Sequence, residues 1–307
     1  MDLSVQLAPK HKHGLLLANP VMPASGTFGY GTEYSHILDI QELGAIVCKG
    51  TTLKPREGNP QPRLAETPSG LLNSIGLQNI GVEALIKEKT PIWASWRVPV
   101  IANIAGETID EYAQIASRLD GVAGISALEV NISCPNVTAG GAEFGADHDT
   151  AAKVTTAVKK ATSRPIIVKL TPNTSDIAQV ATAVAEAGAD AISLINTLKG
   201  MAIDITQRHP IIGAKNGGLS GPAIKPVALY MIYQVASALD IPIIGCGGII
   251  SGTDAIEFIM AGASAVQVGT ANFTNPHALL DVLKGIEQFM KQEGINSLSE
   301  IIGMARH

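Results

Sequence analysis

The hexapeptide Asn131-Ile132-Ser133-Cys134-Pro135-Asn136 crowds two amides, a hydroxyl and a thiol onto the exit of a short apolar run, Ala127-Leu128-Glu129-Val130. The run reads as a buried strand, and Pro135 stops its ladder and forces a turn. A strand that ends in a turn rich in hydrogen-bonding side chains and one thiol suits an active site. Taken alone, the same residues also fit a solvated strand exit with an inert cysteine. Lys169 asks a second question, because it follows the apolar stretch Pro165-Ile166-Ile167-Val168. An ammonium there is costly unless an anion or hydrogen-bond acceptors meet it, or unless it snorkels to solvent. Lys49 ends another apolar strand in the same way. Two inward cations at one mouth favour an anionic ligand, or a cofactor that becomes anionic on reduction.

The elements that must position these residues alternate as short apolar strands and longer amphipathic stretches, the pattern of βα units. Eight strands are predicted, over Pro20–Ala24, Ala45–Cys48, Val98–Ala102, Leu128–Val130, Ile166–Val168, Ala191–Ile195, Pro242–Gly245 and Ala265–Val268. A helix is expected from Asp176 to Ala187, closed by Gly188, and another from Thr253 to Gly262. Eight such units in 307 residues favour a single (β/α)8 barrel spanning residues 1–307, with a doubly wound sheet as the alternative. Two stretches rich in glycine, proline and polar residues, Thr51 to Asn79 and Met201 to Ser220, read as loop insertions over the carboxyl-terminal face.

In a barrel, active-site residues lie at the carboxyl ends of the strands. Those ends read, in order, Ser25, Lys49, Asn103, Asn131, Lys169, Asn196, Gly247-Gly248 and Gly269-Thr270. Glycine on the last two strands lets backbone N–H groups approach a phosphate closely, and a helix N-terminus adds a favourable dipole. Ser251-Gly252-Thr253-Asp254 is expected to begin that helix, with Ser251 or Thr253 as its cap. Lys225 reads as surface or helix-start charge, and His209 as a solvated loop residue.

Composition narrows the function. The chain is 46% hydrophobic and 16% charged, with a net charge of −5 and no long basic run, which argues against nucleic acid as a partner. The start of the chain lacks a basic-then-apolar leader pattern, and no apolar run nears the ~20 residues of a membrane helix. A soluble, cytoplasmic protein without a membrane partner is expected. The three cysteines, Cys48, Cys134 and Cys246, are too widely spaced to ligate an iron–sulfur cluster, and the histidines show no metal-binding spacing.

These residues carry a resemblance. The chain resembles the dihydroorotate dehydrogenase family, and within it the NAD-linked class 1B catalytic subunits. The likeness runs through Asn19-Pro-Val-Met-Pro-Ala-Ser-Gly26, Lys49-Gly-Thr-Thr52, Asn73-Ser-Ile-Gly-Leu-Gln-Asn79 and the hexapeptide. It continues through Val168-Lys-Leu-Thr-Pro172, Ile195-Asn-Thr197, Gly217-Gly-Leu-Ser-Gly-Pro222 and the two glycine turns. It implies a barrel holding one FMN and oxidation of dihydroorotate to orotate in pyrimidine biosynthesis. Cys134 would be the general base at C5, with hydride passing from C6 to flavin N5. A free cysteine titrates at about 8.5, so a thiolate is reachable where a serine alkoxide is not.

By the same resemblance, FMN would meet Ser25, Lys49, Gly50, Asn103, Asn131 and Lys169, the last stabilising negative charge on the reduced ring. Ile195, Gly221, Gly247, Gly248, Gly269 and Thr270 complete that set. Substrate would meet Lys49, Asn73, Ser74, Ile75, Gly76 and Leu77 on one side, and Asn131, Asn136, Asn196 and Thr197 on the other. Asparagines suit the amide-rich ring of orotate, and Lys49 its carboxylate. Gln78 resembles class 1B; the fumarate-using class 1A more often has proline there. Membership of class 1B implies a partner subunit carrying FAD and a [2Fe–2S] cluster. It also implies NAD⁺ as acceptor, and a heterotetramer of two catalytic and two electron-transfer chains around a homodimer core. The alternatives are a class 1A-like enzyme and a dihydropyrimidine dehydrogenase-like flavoenzyme. One prediction follows from the thiol: Cys134→Ser should lose most turnover while retaining FMN, and wild-type turnover in that variant at neutral pH would refute the assignment of the base.

Overall fold

The computed structural model describes residues 1–133, 135–136 and 142–306. Eight parallel strands form its central sheet, and they coincide with the eight predicted from sequence. They are β1 (Val21–Pro23), β2 (Ile46–Val47), β3 (Val100–Ile104), β4 (Ala127–Asn131), β5 (Ile166–Lys169), β6 (Ala191–Leu194), β7 (Ile243–Cys246) and β8 (Ala265–Val268). They hydrogen-bond in the order β1-β8-β7-β6-β5-β4-β3-β2. Nearly every strand residue is buried, as expected for parallel strands covered on both faces.

Closure happens at the seam between β1 and β2. Gly44 N–H donates to Val21 O at 2.9 Å just ahead of β2, and Asn19 Nδ2 donates to Glu42 O at 2.8 Å. A Cβ on Gly44 would stand 2.0 Å from Asn19 O, so only glycine lets the two edges meet. The sheet is therefore a barrel and not the open, doubly wound alternative.

Helices cover the outer face. They include α1 (Ile109–Leu119), α2 (His148–Ala161), α3 (Ile177–Glu186), α4 (Lys225–Ala238), α5 (Gly252–Ala261) and, after β8, the short α6 (Ala271–Thr274) and α7 (Ala278–Glu293). Helices α3 and α5 match the two expected from periodicity. Asp176 caps α3 by accepting from Gln179 N at 3.0 Å, and Gly188 follows it at φ +104°. Between β2 and β3 the chain winds through Gly81–Ala84, a π-type turn over Leu85–Lys89, and Thr90–Trp93.

The two insertions are more ordered than loops. Leu64–Thr67 and Gly70–Asn73 form a hairpin within the first, and Gly217–Ser220 from the second pairs antiparallel with Gly70–Asn73, Gly218 opposite Asn73. Leu198–Gly200 completes this four-stranded sheet, so the second insertion departs from the barrel before Met201. Ala65 and Leu72 from one insertion and Ile212 from the other form a small apolar core beneath it. Glycine-rich strands lack the alternating apolar pattern that marks a sheet, which hides this pairing from sequence.

Gly44→Ala should destabilise the protein by roughly 1–3 kcal/mol through overpacking at the seam. Urea unfolding of the variant measures this, and an unchanged midpoint would remove the seam's dependence on glycine.

Candidate active site

The strand alternation of barrels places residues i and i+2 on one face. On β4 this turns Glu129 and Asn131 inward together, on β3 Ile101 and Asn103, and on β5 Ile167 and Lys169. The inward residues nearest the carboxyl ends form the floor of a cavity of ≈630 Å³, within the ~300–1,000 Å³ typical of small-molecule sites. Ser25, Lys49, Gly50, Asn103, Asn131, Lys169, Ile195, Gly221, Gly247, Gly248, Gly269 and Thr270 all line it. So do Asn73, Ser74, Ile75, Gly76, Leu77, Asn196 and Thr197. Cys134 lies outside the described residues, as does the side chain of Asn136.

Beneath the floor runs a buried polar network that the strand-end reading overlooked. Glu129 has no solvent exposure and Lys169 only 3%. Glu129 Oε1 accepts from Gln267 Nε2 at 2.6 Å and from Ser193 Oγ at 2.9 Å, and its Oε2 accepts from Asn103 Nδ2 at 2.6 Å. Lys169 Nζ donates to Gln267 Oε1 at 2.9 Å and lies 4.0 Å from Glu129 Oε2. Lys169 thus neither snorkels nor sits unpaired. The sequence carried a signal for its partner: Glu129 is the one carboxylate in an apolar strand, two residues before Asn131.

The walls are a lattice of amides. Asn131 Oδ1 accepts from Ser133 N and from Asn196 Nδ2, each at 3.2 Å, and Asn196 Nδ2 also donates to Ser133 Oγ at 2.9 Å. This occupies the oxygen of Asn131, and its NH₂ has no partner among the described residues. Asn73 Nδ2 reaches across the inserted sheet to Gly218 O at 3.2 Å. Lys49 is half-buried, and that burial pulls its ammonium below the usual lysine range, with Glu33 opposing the shift. The wall also holds residues not singled out from sequence, among them Asn173, held to Thr171 Oγ1 at 3.0 Å, and Ser220, which accepts from Thr270 Oγ1 at 2.8 Å.

At the β7 and β8 end, Gly247 and Gly248 adopt φ +131° and +76°. A Cβ on Gly248 would lie 2.8 Å from Lys225 Cβ, so α4 packs directly on the turn. The backbone N–H groups of Gly247, Gly248, Gly269 and Thr270 find no partner among the described residues, and all four residues line the cavity. These fit a phosphate. Helix α5 begins at the expected cap. Ser251 is the cap, accepting from Asp254 N at 3.2 Å, and Asp254 Oδ2 accepts from Ile250 N at 3.0 Å and Ser251 N at 2.9 Å. The chain's own carboxylate thus occupies the Ile250 and Ser251 donors just ahead of α5. Lys225 proves to be more than helix-start charge, since its Nζ pairs with Asp254 at 2.6 Å and Glu257 at 3.0 Å, tying α4 to α5 behind the glycine turn. His209 is exposed and, among the described residues, bonds only within its own hairpin, to Pro210 O and Gln207.

The other two thiols are poor candidates for a base. Burial pushes Cys48 up to about 12, and Cys246, which borders the cavity, is also raised by burial.

Known proteins resemble this chain closely. The family model described as Dihydroorotate dehydrogenase matches residues 9–290. Proteins named Dihydroorotate dehydrogenase B (NAD(+)), catalytic subunit, are similar over nearly the whole length. That of Desulforamulus reducens is 59% identical over 94% of this chain and 95% of its own, and that of Trichlorobacter lovleyi is 57% identical over 94% and 95%. The protein of Geotalea daltonii is 54% identical over 98% of this chain and 97% of its own.

Burial works against the charge on Asp254, but hydrogen bonds from Lys225, Ile250 and Ser251 outweigh it and hold the carboxyl below its ordinary value near 3.8. A depressed folded value means that its stabilisation is complete above pH ~3.8 and fades as pH falls through the lower folded value. Asp254→Asn should therefore cost about 0.5–2 kcal/mol at neutral pH. The gap in melting temperature between wild type and variant should narrow below pH ~3.8; a gap that widens in acid would refute the capping role.

Proposed function

The chain belongs to the dihydroorotate dehydrogenase family, and on that footing we propose that it oxidises (S)-dihydroorotate to orotate in pyrimidine biosynthesis, with FMN as its resident cofactor. The observation that carries this reading is the meeting in one cavity of Lys49, Asn73, Asn131 and Asn196 with Lys169 and two unpartnered glycine turns. The NAD-linked names of its relatives support NAD⁺ as the final acceptor, reached through a separate electron-transfer subunit.

The residues fit FMN at both ends. The N–H groups of Gly247, Gly248, Gly269 and Thr270 suit its phosphate. At the floor, Asn103 Oδ1 is buried with no partner among the described residues, an acceptor that a ring N–H would satisfy. Bound FMN would supply the two-electron acceptor for the reaction. Lys169, already held between Gln267 and Glu129, would place positive charge against the ring. Lys49 would pair with the substrate carboxylate; its half-buried position strengthens that pairing over one in open water. Asn73 and Asn196 would hold the ring's amide edges, which fixes the face that the base meets. Cys134 would take the proton from C5. Leu198–Gly200 and Gly217–Ser220, paired with Gly70–Asn73, would exclude water from above.

The proposed assembly has two catalytic and two electron-transfer chains, the latter carrying FAD and a [2Fe–2S] cluster, around a catalytic homodimer in the cytoplasm. Among the described residues no helix is long and apolar enough to cross a membrane.

Anaerobic titration tests the activity. The purified chain should be yellow, bleach with dihydroorotate and fail to bleach with dihydrouracil. It should reduce NAD⁺ only when its partner is present. A colourless protein that does not take up FMN, or a lone chain that reduces NAD⁺, would overturn the corresponding part of the reading.

A further inference from the structure

We propose that Glu129 is a positioning residue which sets the polarity of the cavity floor, by fixing which way round the amide of Asn103 stands. This rests on the reading that the cavity holds FMN. A carboxylate can only accept hydrogen bonds, whereas a carboxamide presents an acceptor on one branch and a donor on the other. Asn103 meets Glu129 Oε2 at 2.6 Å, so it must offer Nδ2 there, and its oxygen is committed to the other branch. Among the described residues, that oxygen is a buried side-chain acceptor of the cavity floor without a partner. Gln267 is locked by the same carboxylate in the same manner. Its Nε2 meets Glu129 Oε1 at 2.6 Å, which commits its oxygen to Lys169 Nζ at 2.9 Å.

One fully buried carboxylate thus dictates two amide orientations on different strands of the barrel, β3 and β8. Ser193 Oγ donates to Oε1 as well, which leaves Glu129 little freedom to rotate. The ligand it selects carries an N–H facing Asn103. Oxidised isoalloxazine has one ring N–H, the imide between its two carbonyls. A glutamine at 129 would break the rule, because its amide can donate as well as accept. Asn103 could then turn its NH₂ into the cavity and oppose the ring N–H.

The test is a double-mutant cycle on FMN binding to apoprotein, read by quenching of flavin fluorescence, with Glu129→Gln, Asn103→Ala and the double variant. Loss of a buried hydrogen bond predicts a Kd raised about 10- to 100-fold in each single variant. The double variant should bind no more weakly than Asn103→Ala, since Glu129 acts through that amide. Multiplying losses, or an unchanged Kd in either single variant, would overturn the proposal. A purely structural role for Glu129 predicts independent losses. Should Glu129→Gln fail to fold, Glu129→Asp keeps the charge facing Lys169 and withdraws the carboxylate by one methylene. Wild-type affinity in that folded variant would equally overturn the proposal, and weakened FMN binding there would sustain it. A wild-type apoprotein that ignores FMN refutes the functional reading itself, a result separate from any pattern within the cycle.

Discussion

A carboxylate with no access to water stands inside the barrel, and the floor of the cavity is organised around it. Glu129 receives three hydrogen bonds from Asn103, Ser193 and Gln267, and faces Lys169 at 4.0 Å. A bare ion in that position would be prohibitive, and an unpaired lysine nearby equally so. Each makes the other tolerable, and the amides and hydroxyl satisfy the remaining valences. The consequence is a barrel whose interior at this level is polar rather than filled with layered aliphatic side chains. Five strands contribute a member, so the strand registers and the polar cluster specify one another.

That cluster faces a cavity whose two remaining boundaries are built differently. At one end, backbone N–H groups in glycine turns have no partner among the described residues, while Asp254 accepts from Ser251 N at the adjacent helix start and is clamped by Lys225. Above, strands from two insertions pair over the mouth. Fixed charge lies below, open backbone donors at one side, and an apolar-backed sheet on top. A long ligand with an anionic tail and a planar polar head matches this division.

Much of this was legible in the sequence. The eight strands follow from short apolar runs between turn residues, and the strand-end rule then gathers Ser25, Lys49, Asn103, Asn131, Lys169 and the two glycine turns around one face. What stayed hidden depends on pairing across space. Gln267 sits inside an apolar strand, and Glu129 marks its own strand as charged, but neither names its partner until the strands are assembled. Gly217 and Gly218 read as loop because glycine carries no alternation, although they form a strand. Asp254 stands in the first turn of its helix, and only its three-dimensional contacts show that it accepts from Ile250 N and Ser251 N and pairs with Lys225.

The inserted sheet has a bearing on how such proteins diversify. Its strands come from segments separated by well over a hundred residues, with Asn73 opposite Gly218 and Leu72 opposite Leu219. Neither segment has a complete hydrogen-bond ladder or apolar core without the other, since Ala65 and Leu72 pack on Ile212. The two are therefore a single heritable unit despite their distance along the chain. A change of length or register in one is tolerated only with a matching change in the other, and exchange between relatives has to transfer both together.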